Sequence, residues 1–128
     1  MKRCIEQRGI PFPGWKEYGV LTLATWKDGQ TSHGPRHEFP VRIDVPSHPI
    51  TAGMKTFRIQ DELWNRPGIA DGAEVLASSY SAPDKEGTGR WEPAVLVGHF
   101  GKGRSFTLLL GHDAEAMDNA GFHALLRR

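Results

Sequence analysis

Residues 93–110 constrain the fold more than any other stretch, because two apolar runs, 93–100 and 105–110, are joined only by Gly101-Lys102-Gly103-Arg104. Glycine reaches the positive backbone angles that a short reversal demands. The chain must therefore double back here as an antiparallel hairpin, expected at one side of a sheet. Residues 94–97 and 108–110 are continuously apolar, as in strands covered on both faces.

Two more segments read as strands. Residues 74–80 form a third run, and in 39–45 Phe39, Val41, Ile43 and Val45 alternate with Pro40, Arg42 and Asp44. That period suits a half-buried strand, with Pro40 pointing to an edge or strand-start position. Trp15, Tyr18 and Leu21 lie at helical spacing within 15–24, after the breakers Pro11, Pro13 and Gly14. A closing helix, capped by Asp118 or Asn119, places Phe122, Leu125 and Leu126 on one face. The polar segments 27–36, carrying His33, and 81–90 read as loops, and Pro46-Ser47-His48-Pro49 reads as a turn.

A chain of 128 residues has room for one core. Sixteen basic against fifteen acidic residues leave a net charge of +1 without a block of either sign, so no nucleic acid partner is expected. The apolar runs fall far short of the roughly 20 residues of a membrane helix, so no membrane partner is expected either. Met1-Lys2-Arg3 is followed by Cys4, Glu6, Gln7 and Arg8 rather than by an apolar run, which argues against a signal peptide and for a cytoplasmic setting. Cys4, the one cysteine, excludes an internal disulfide.

Chemistry concentrates at strand ends, where open α/β sheets place ligands. His48, in His48-Pro49-Ile50-Thr51, and His112, in His112-Asp113, each follow directly on a strand. Either imidazole could serve a ligand or cap its loop by bonding to backbone. Asp61-Glu62 precedes Leu63-Trp64, a pairing of carboxylates and an indole suited to a sugar's hydroxyls and apolar face. Equally, Asp61 could cap a short helix and Trp64 could be core. Of the six histidines, only His33 and His37 share the i, i+4 spacing of a helical zinc site, and Pro35 lies between them. No metal and no cofactor are expected. No Gly-x-Cys-x-Gly or Gly-x-Ser-x-Gly elbow is present, so Cys4 is not expected to act as a nucleophile.

The ordered set of segments resembles the ThuA family, named for trehalose utilisation. It comprises Trp15-Lys16-Glu17-Tyr18, His33 six residues before Phe39, and His48-Pro49-Ile50-Thr51-Ala52-Gly53. It continues with Phe57, Asp61-Glu62-Leu63-Trp64 (Tyr is usual in place of Trp64), Glu74-Val75-Leu76-Ala77, Glu92-Pro93, the Gly101 turn and Leu110-Gly111-His112-Asp113. The similarity runs over residues 13–128. It implies an α/β fold with a flavodoxin-like three-layer α/β/α sheet, related to class I glutamine amidotransferases but without their cysteine nucleophile. It also implies a role in carbohydrate metabolism, with trehalose-like disaccharides or keto-sugars as ligands.

Family members usually open with a βαβ half, whereas residues 1–12 are polar and atypical. The chain is therefore expected to be a single, incomplete ThuA-like domain over 1–128 that lacks the N-terminal half. Self-association, or association with that half, should follow from unpaired strands. Two functions compete on this reading. In one, His48, His112, Asp61 and Glu62 supply catalytic acid and base groups, and His33, Trp64 and Asp113 bind a small carbohydrate. In the other, the chain is a non-catalytic carbohydrate- or partner-binding module, or an inactive fragment. Convergence of His48, His112 and the Asp61-Glu62 pair on one cavity would favour the first, and scatter would favour the second or a purely structural role.

Overall fold

The computed structural model describes residues 17–128. Cys4 and the expected helix start at Trp15 lie outside the described residues. The elements in chain order are α1 (Tyr18–Thr22), β1 (Ala24–Thr25), β2 (Ser32–His33), β3 (His37–Ile43) and β4 (Phe57–Asp61). They continue with β5 (Trp64–Asn65), β6 (Gly68–Ile69), β7 (Glu74–Tyr80), β8 (Trp91–Phe100), β9 (Gly103–Leu108), α2 (Ala114–Met117) and α3 (Ala120–Leu126).

The main sheet has the order β4-β3-β7-β8-β9, and β1-β6 and β2-β5 form two small ladders. The hairpin expected at one side of the sheet is β8-β9, with Phe100 opposite Gly103 across Gly101 and Lys102. Gly101 takes φ 58°, the left-handed angle that glycine adopts without a steric penalty. All pairings among the described residues are antiparallel. The described residues are thus mixed α/β around an antiparallel sheet.

Several local expectations are corrected. Pro40 does not mark an edge, since β3 lies between β4 and β7. It is tolerated because the β7 ladder joins β3 only from Val41 onward, leaving Pro40 paired on the β4 side alone. Residues 57–61 form a strand, and 32–33 pair with 64–65 within the segment read as a plain loop. In α3, Phe122 and Leu125 are buried but Leu126 is exposed. The other expected helix is shorter than its pattern, because Leu23 turns left-handed at φ 60° and ends it.

Alternation along the strands divides the core in two. Phe39, Val41, Ile59, Leu76, Ala77, Val95 and Leu110 face α2 and α3 through Ala116, Phe122 and Leu125. Leu96, adjacent to Val95, faces the other way and packs on Leu23 and Ala24, with Val75 and Leu109 beside them. Register shifts on either side of Ala77 explain why consecutive residues such as Leu76 and Ala77 enter one cluster, since a bulge turns neighbours to the same side. Burying a large aliphatic or aromatic side chain is worth about 1.5–3 kcal/mol, against about 0–1 for an exposed ion pair. Apolar packing therefore holds the sheet, while pairs such as Arg58–Glu38 only decorate it.

Candidate functional site

The site is built on one buried carboxylate. Asp61 ends β4 with no exposed surface, and all its polar contacts run to backbone. Its Oδ1 accepts the Glu62 N–H at 2.8 Å and the His112 N–H at 3.1 Å, while Oδ2 accepts the Gly111 N–H at 2.6 Å. Three donors satisfy a charge that would otherwise be costly to bury. They also fasten the end of β4 to the segment after β9, so Asp61 sets the positions of both Glu62 and His112. It caps no helix.

Gly111 makes this close approach possible. It takes φ 94°, and a Cβ there would stand 2.7 Å from Cε2 of Phe122. A larger residue would push the 111–112 backbone away from Asp61.

Glu62, the next residue, points outward. Its Oε2 lies 3.3 Å from Nδ1 of His33 and 3.4 Å from Nδ1 of His112. His33 arrives from β2, whose register sets it opposite Trp64. Nδ1 of His33 also meets the Gly34 carbonyl at 2.9 Å. A carbonyl only accepts, so Nδ1 carries the proton and the neutral ring keeps its lone pair on Nε2. An ionised Glu62 asks the same of His112. The two imidazole side chains are 46% and 58% exposed and Glu62 is 21% exposed, so a sheltered carboxylate orients two reachable bases. Among the described residues no group of three or more His, Cys, Asp or Glu side chains could hold a metal ion.

An aromatic wall stands beside the cluster. Trp64 meets Trp26 edge-on at 5.2 Å, and Trp26 lies 6.2 Å from the His33 ring. Trp26 went unnoticed in the sequence, although an indole entering the polar turn Lys27-Asp28-Gly29-Gln30 has little access to a core. A cleft of about 570 Å³ opens beside Glu62, Trp64, Gly111 and His112, with Tyr18 and Leu21 on another side.

The remaining expected residues fall elsewhere. Asp113 accepts the Ala116 N–H at 2.8 Å as the cap of α2 and pairs with Nε of Arg36 at 2.6 Å. These contacts, the Ala116 bond first and the Arg36 bond second, hold its carboxyl below the ordinary value. The Arg36 guanidinium, bound by Asp113 and Glu115, is raised in turn. His48 lines a different cleft from Glu62 and His112, and its Nδ1 accepts the Ile50 N–H at 3.2 Å. The backbone-capping alternative describes that contact. His48, His112 and the acidic pair thus do not converge on one cavity, whereas His33, Glu62 and His112 do come together.

An antiparallel sheet carrying a carboxylate, two imidazoles and two indoles at one corner places the chain among mixed α/β proteins with a polar cluster at a strand end. The family model described as trehalose utilisation, ThuA, matches residues 11–128, and the chain belongs to that family. A crystal structure at 1.75 Å of a ThuA-like protein from Parabacteroides merdae is similar, with a TM-score of 0.72 and 31% identity. The match covers 90% of this chain and 49% of that one, so the chain spans about half the length of its structural relative. No curated protein matches it. No helix among the described residues is long and apolar enough to cross a membrane.

Proposed function

We propose that the corner around Glu62 binds a small carbohydrate, a trehalose-like disaccharide or a keto-sugar derived from one, and transfers protons on it. The observation that carries this reading is a single carboxylate oxygen within 3.3 and 3.4 Å of the Nδ1 atoms of two exposed histidines. With the His33 Nδ1–H on the Gly34 carbonyl and both Nδ1 atoms beside the Glu62 carboxylate, each Nε2 can take a proton from a sugar hydroxyl or from carbon next to a ketone, and the other ring, once protonated, can return one. Oriented acid–base groups of this kind typically contribute about 10² to 10⁴ in rate. Trp64 and Trp26 offer the apolar edge that a pyranose ring packs on.

Membership of the family supports the carbohydrate assignment. Packing on both sides of the sheet, by α2 and α3 on one and by Leu23 and Ala24 on the other, supports a further element of the reading, that the chain takes part in a larger α/β/α domain; that this domain is flavodoxin-like, related to glutamine amidotransferases and cytoplasmic rests on the resemblance and the sequence alone.

The test is to incubate the protein with trehalose and with keto-disaccharides and to follow the sugars by proton NMR. Turnover that is lost in Glu62→Gln and in His112→Gln is the expected result. Saturable binding with no turnover in the native protein would leave a carbohydrate-binding module, and neither binding nor turnover would overturn the reading.

A further inference from the structure

His48 belongs to the second cleft, about 590 Å³ in volume, which lies between the 48–50 turn and the β8-β9 hairpin. Among the described residues, its lining shares only Phe106 with that of the Glu62 cleft. We propose that this cleft binds the phosphate group of a phosphorylated polyol or sugar.

The polar side chains around it are mostly donors. His99 and Arg104 stand opposite each other across β8 and β9, so the register of a tight hairpin delivers an imidazole and a guanidinium to one face of the sheet. Three of the eight arginines among the described residues have carboxylate partners, Arg36 in Asp113, Arg42 in Asp44 and Arg58 in Glu38. Arg104 lacks such a carboxylate partner among the described residues. From the other side comes His48. Its Nδ1 accepts the Ile50 N–H, so in the neutral ring the proton sits on Nε2, which can only donate. Arg128 is tied to the Ala52 carbonyl at 2.7 Å through Nη1, and its other N–H groups remain for a ligand.

Arg104, Arg128 and the neutral His48 ring therefore present donors with no free acceptor, and His99 can donate from one ring nitrogen. A ligand that accepts at several oxygens at once complements them, and the planar fork of arginine fits phosphate in particular. Glu74 is the one carboxylate side chain among the described residues of the lining. It would repel a bare anion that came close, but it can accept a hydroxyl proton, so a phosphate ester with a free hydroxyl suits the whole set better than inorganic phosphate does. Neither the Glu62 cluster nor its substrate enters this argument.

Calorimetric titration with inorganic phosphate, glucose 6-phosphate and glucose tests it. Both phosphates should bind at one site and glucose should not, and loss of a charge-assisted contact in Arg104→Gln should weaken binding about tenfold or more. Tighter binding of glucose 6-phosphate than of phosphate supports the ester as ligand, whereas equal affinity supports phosphate itself. Binding should fall with added salt and survive Glu62→Gln, which separates this site from the sugar site. Absence of saturable binding by either phosphate up to about 10 mM, an affinity weaker than about 3 kcal/mol, would overturn the proposal. So would binding unchanged in both Arg104→Gln and His48→Gln, with both variants shown to be folded by thermal unfolding.

Discussion

Asp61 and His112 meet at 3.1 Å, carboxylate oxygen to backbone N–H, and the same oxygen accepts the Glu62 N–H. One buried group thereby sets the spacing between a carboxylate and an imidazole that are 50 residues apart in sequence. Asp61→Asn keeps the shape but turns an amide NH2 toward backbone N–H groups. Leaving a buried donor unmatched costs about 1–3 kcal/mol. Urea denaturation should show an unfolding free energy lowered by that amount, as a lower midpoint with an unchanged slope, and the NMR resonances of the 111–112 amides should shift most. A variant with native stability would mean that Asp61 does not hold this junction.

Gly111→Ala attacks the same junction from the other side. The new methyl would stand at 2.7 Å from the Phe122 ring at a residue with φ 94°. Overpacking typically costs about 1–3 kcal/mol, and the left-handed angle adds about 1–2 for a residue with a Cβ. Thermal unfolding should therefore show a large loss, and carbohydrate binding should weaken because His112 follows Gly111 directly. Gly53→Ala is the comparison. It also has positive φ, at 75°, but nothing lies within 4 Å of its Cβ position, so it should lose only the backbone contribution.

How far these arrangements were legible in the sequence differs by element. The β8-β9 hairpin was, because Gly101 and the flanking apolar runs act locally and leave one solution. The Asn119 cap was, since its side chain accepts the N–H groups of Gly121 and Phe122 only two and three residues on. Strand β4 is harder to read, because Asp61 fits a helix cap or a site carboxylate equally well and only its alternation with Ile59 marks a strand. That alternation contains the division of labour between Asp61 and Glu62: neighbours at a strand end point to opposite sides, so one is buried and the other faces solvent. The grouping of the histidines could not be read at all. His48 and His112 both follow strands, and spacing does not say which cleft each strand end borders. His33 joins Glu62 through a two-residue ladder, β2-β5, too short to leave a pattern.

Acid should act through Asp113. Its carboxyl is held below the ordinary value of 3.8 by the Ala116 N–H and by Arg36. A depressed folded-state value means that the native protein favours the ionised form. The resulting stability is present above the unfolded value and is lost as pH falls through the folded one. In Asp113→Asn this contribution is missing at neutral pH, so the stability gap from the native protein should be constant above about pH 5 and shrink below the ordinary aspartate value. Denaturation midpoints between pH 2 and 7, measured for both proteins, check it. A gap that widens on acidification would show that the Arg36 pair is not formed.

Glu62→Gln should separate function from stability. Glu62 contacts two histidines that are each about half exposed, and exposed ion pairs contribute about 0–1 kcal/mol, so the variant should unfold within about 1 kcal/mol of the native protein. Its effect on the site should be far larger. Both Nδ1 atoms face the same Glu62 oxygen, and the glutamine oxygen that replaces it is neutral, so it orients the rings and stabilises a protonated one less well. The proton transfer that the other imidazole nitrogen would make to a sugar is weakened accordingly. Singly, His33→Gln and His112→Gln should each weaken carbohydrate binding. Together they should be non-additive by about 0.5–3 kcal/mol, as expected for residues sharing a partner, and the coupling should vanish in the Glu62→Gln background. Additive effects in both backgrounds would show that the histidines act independently and that Glu62 does not join them.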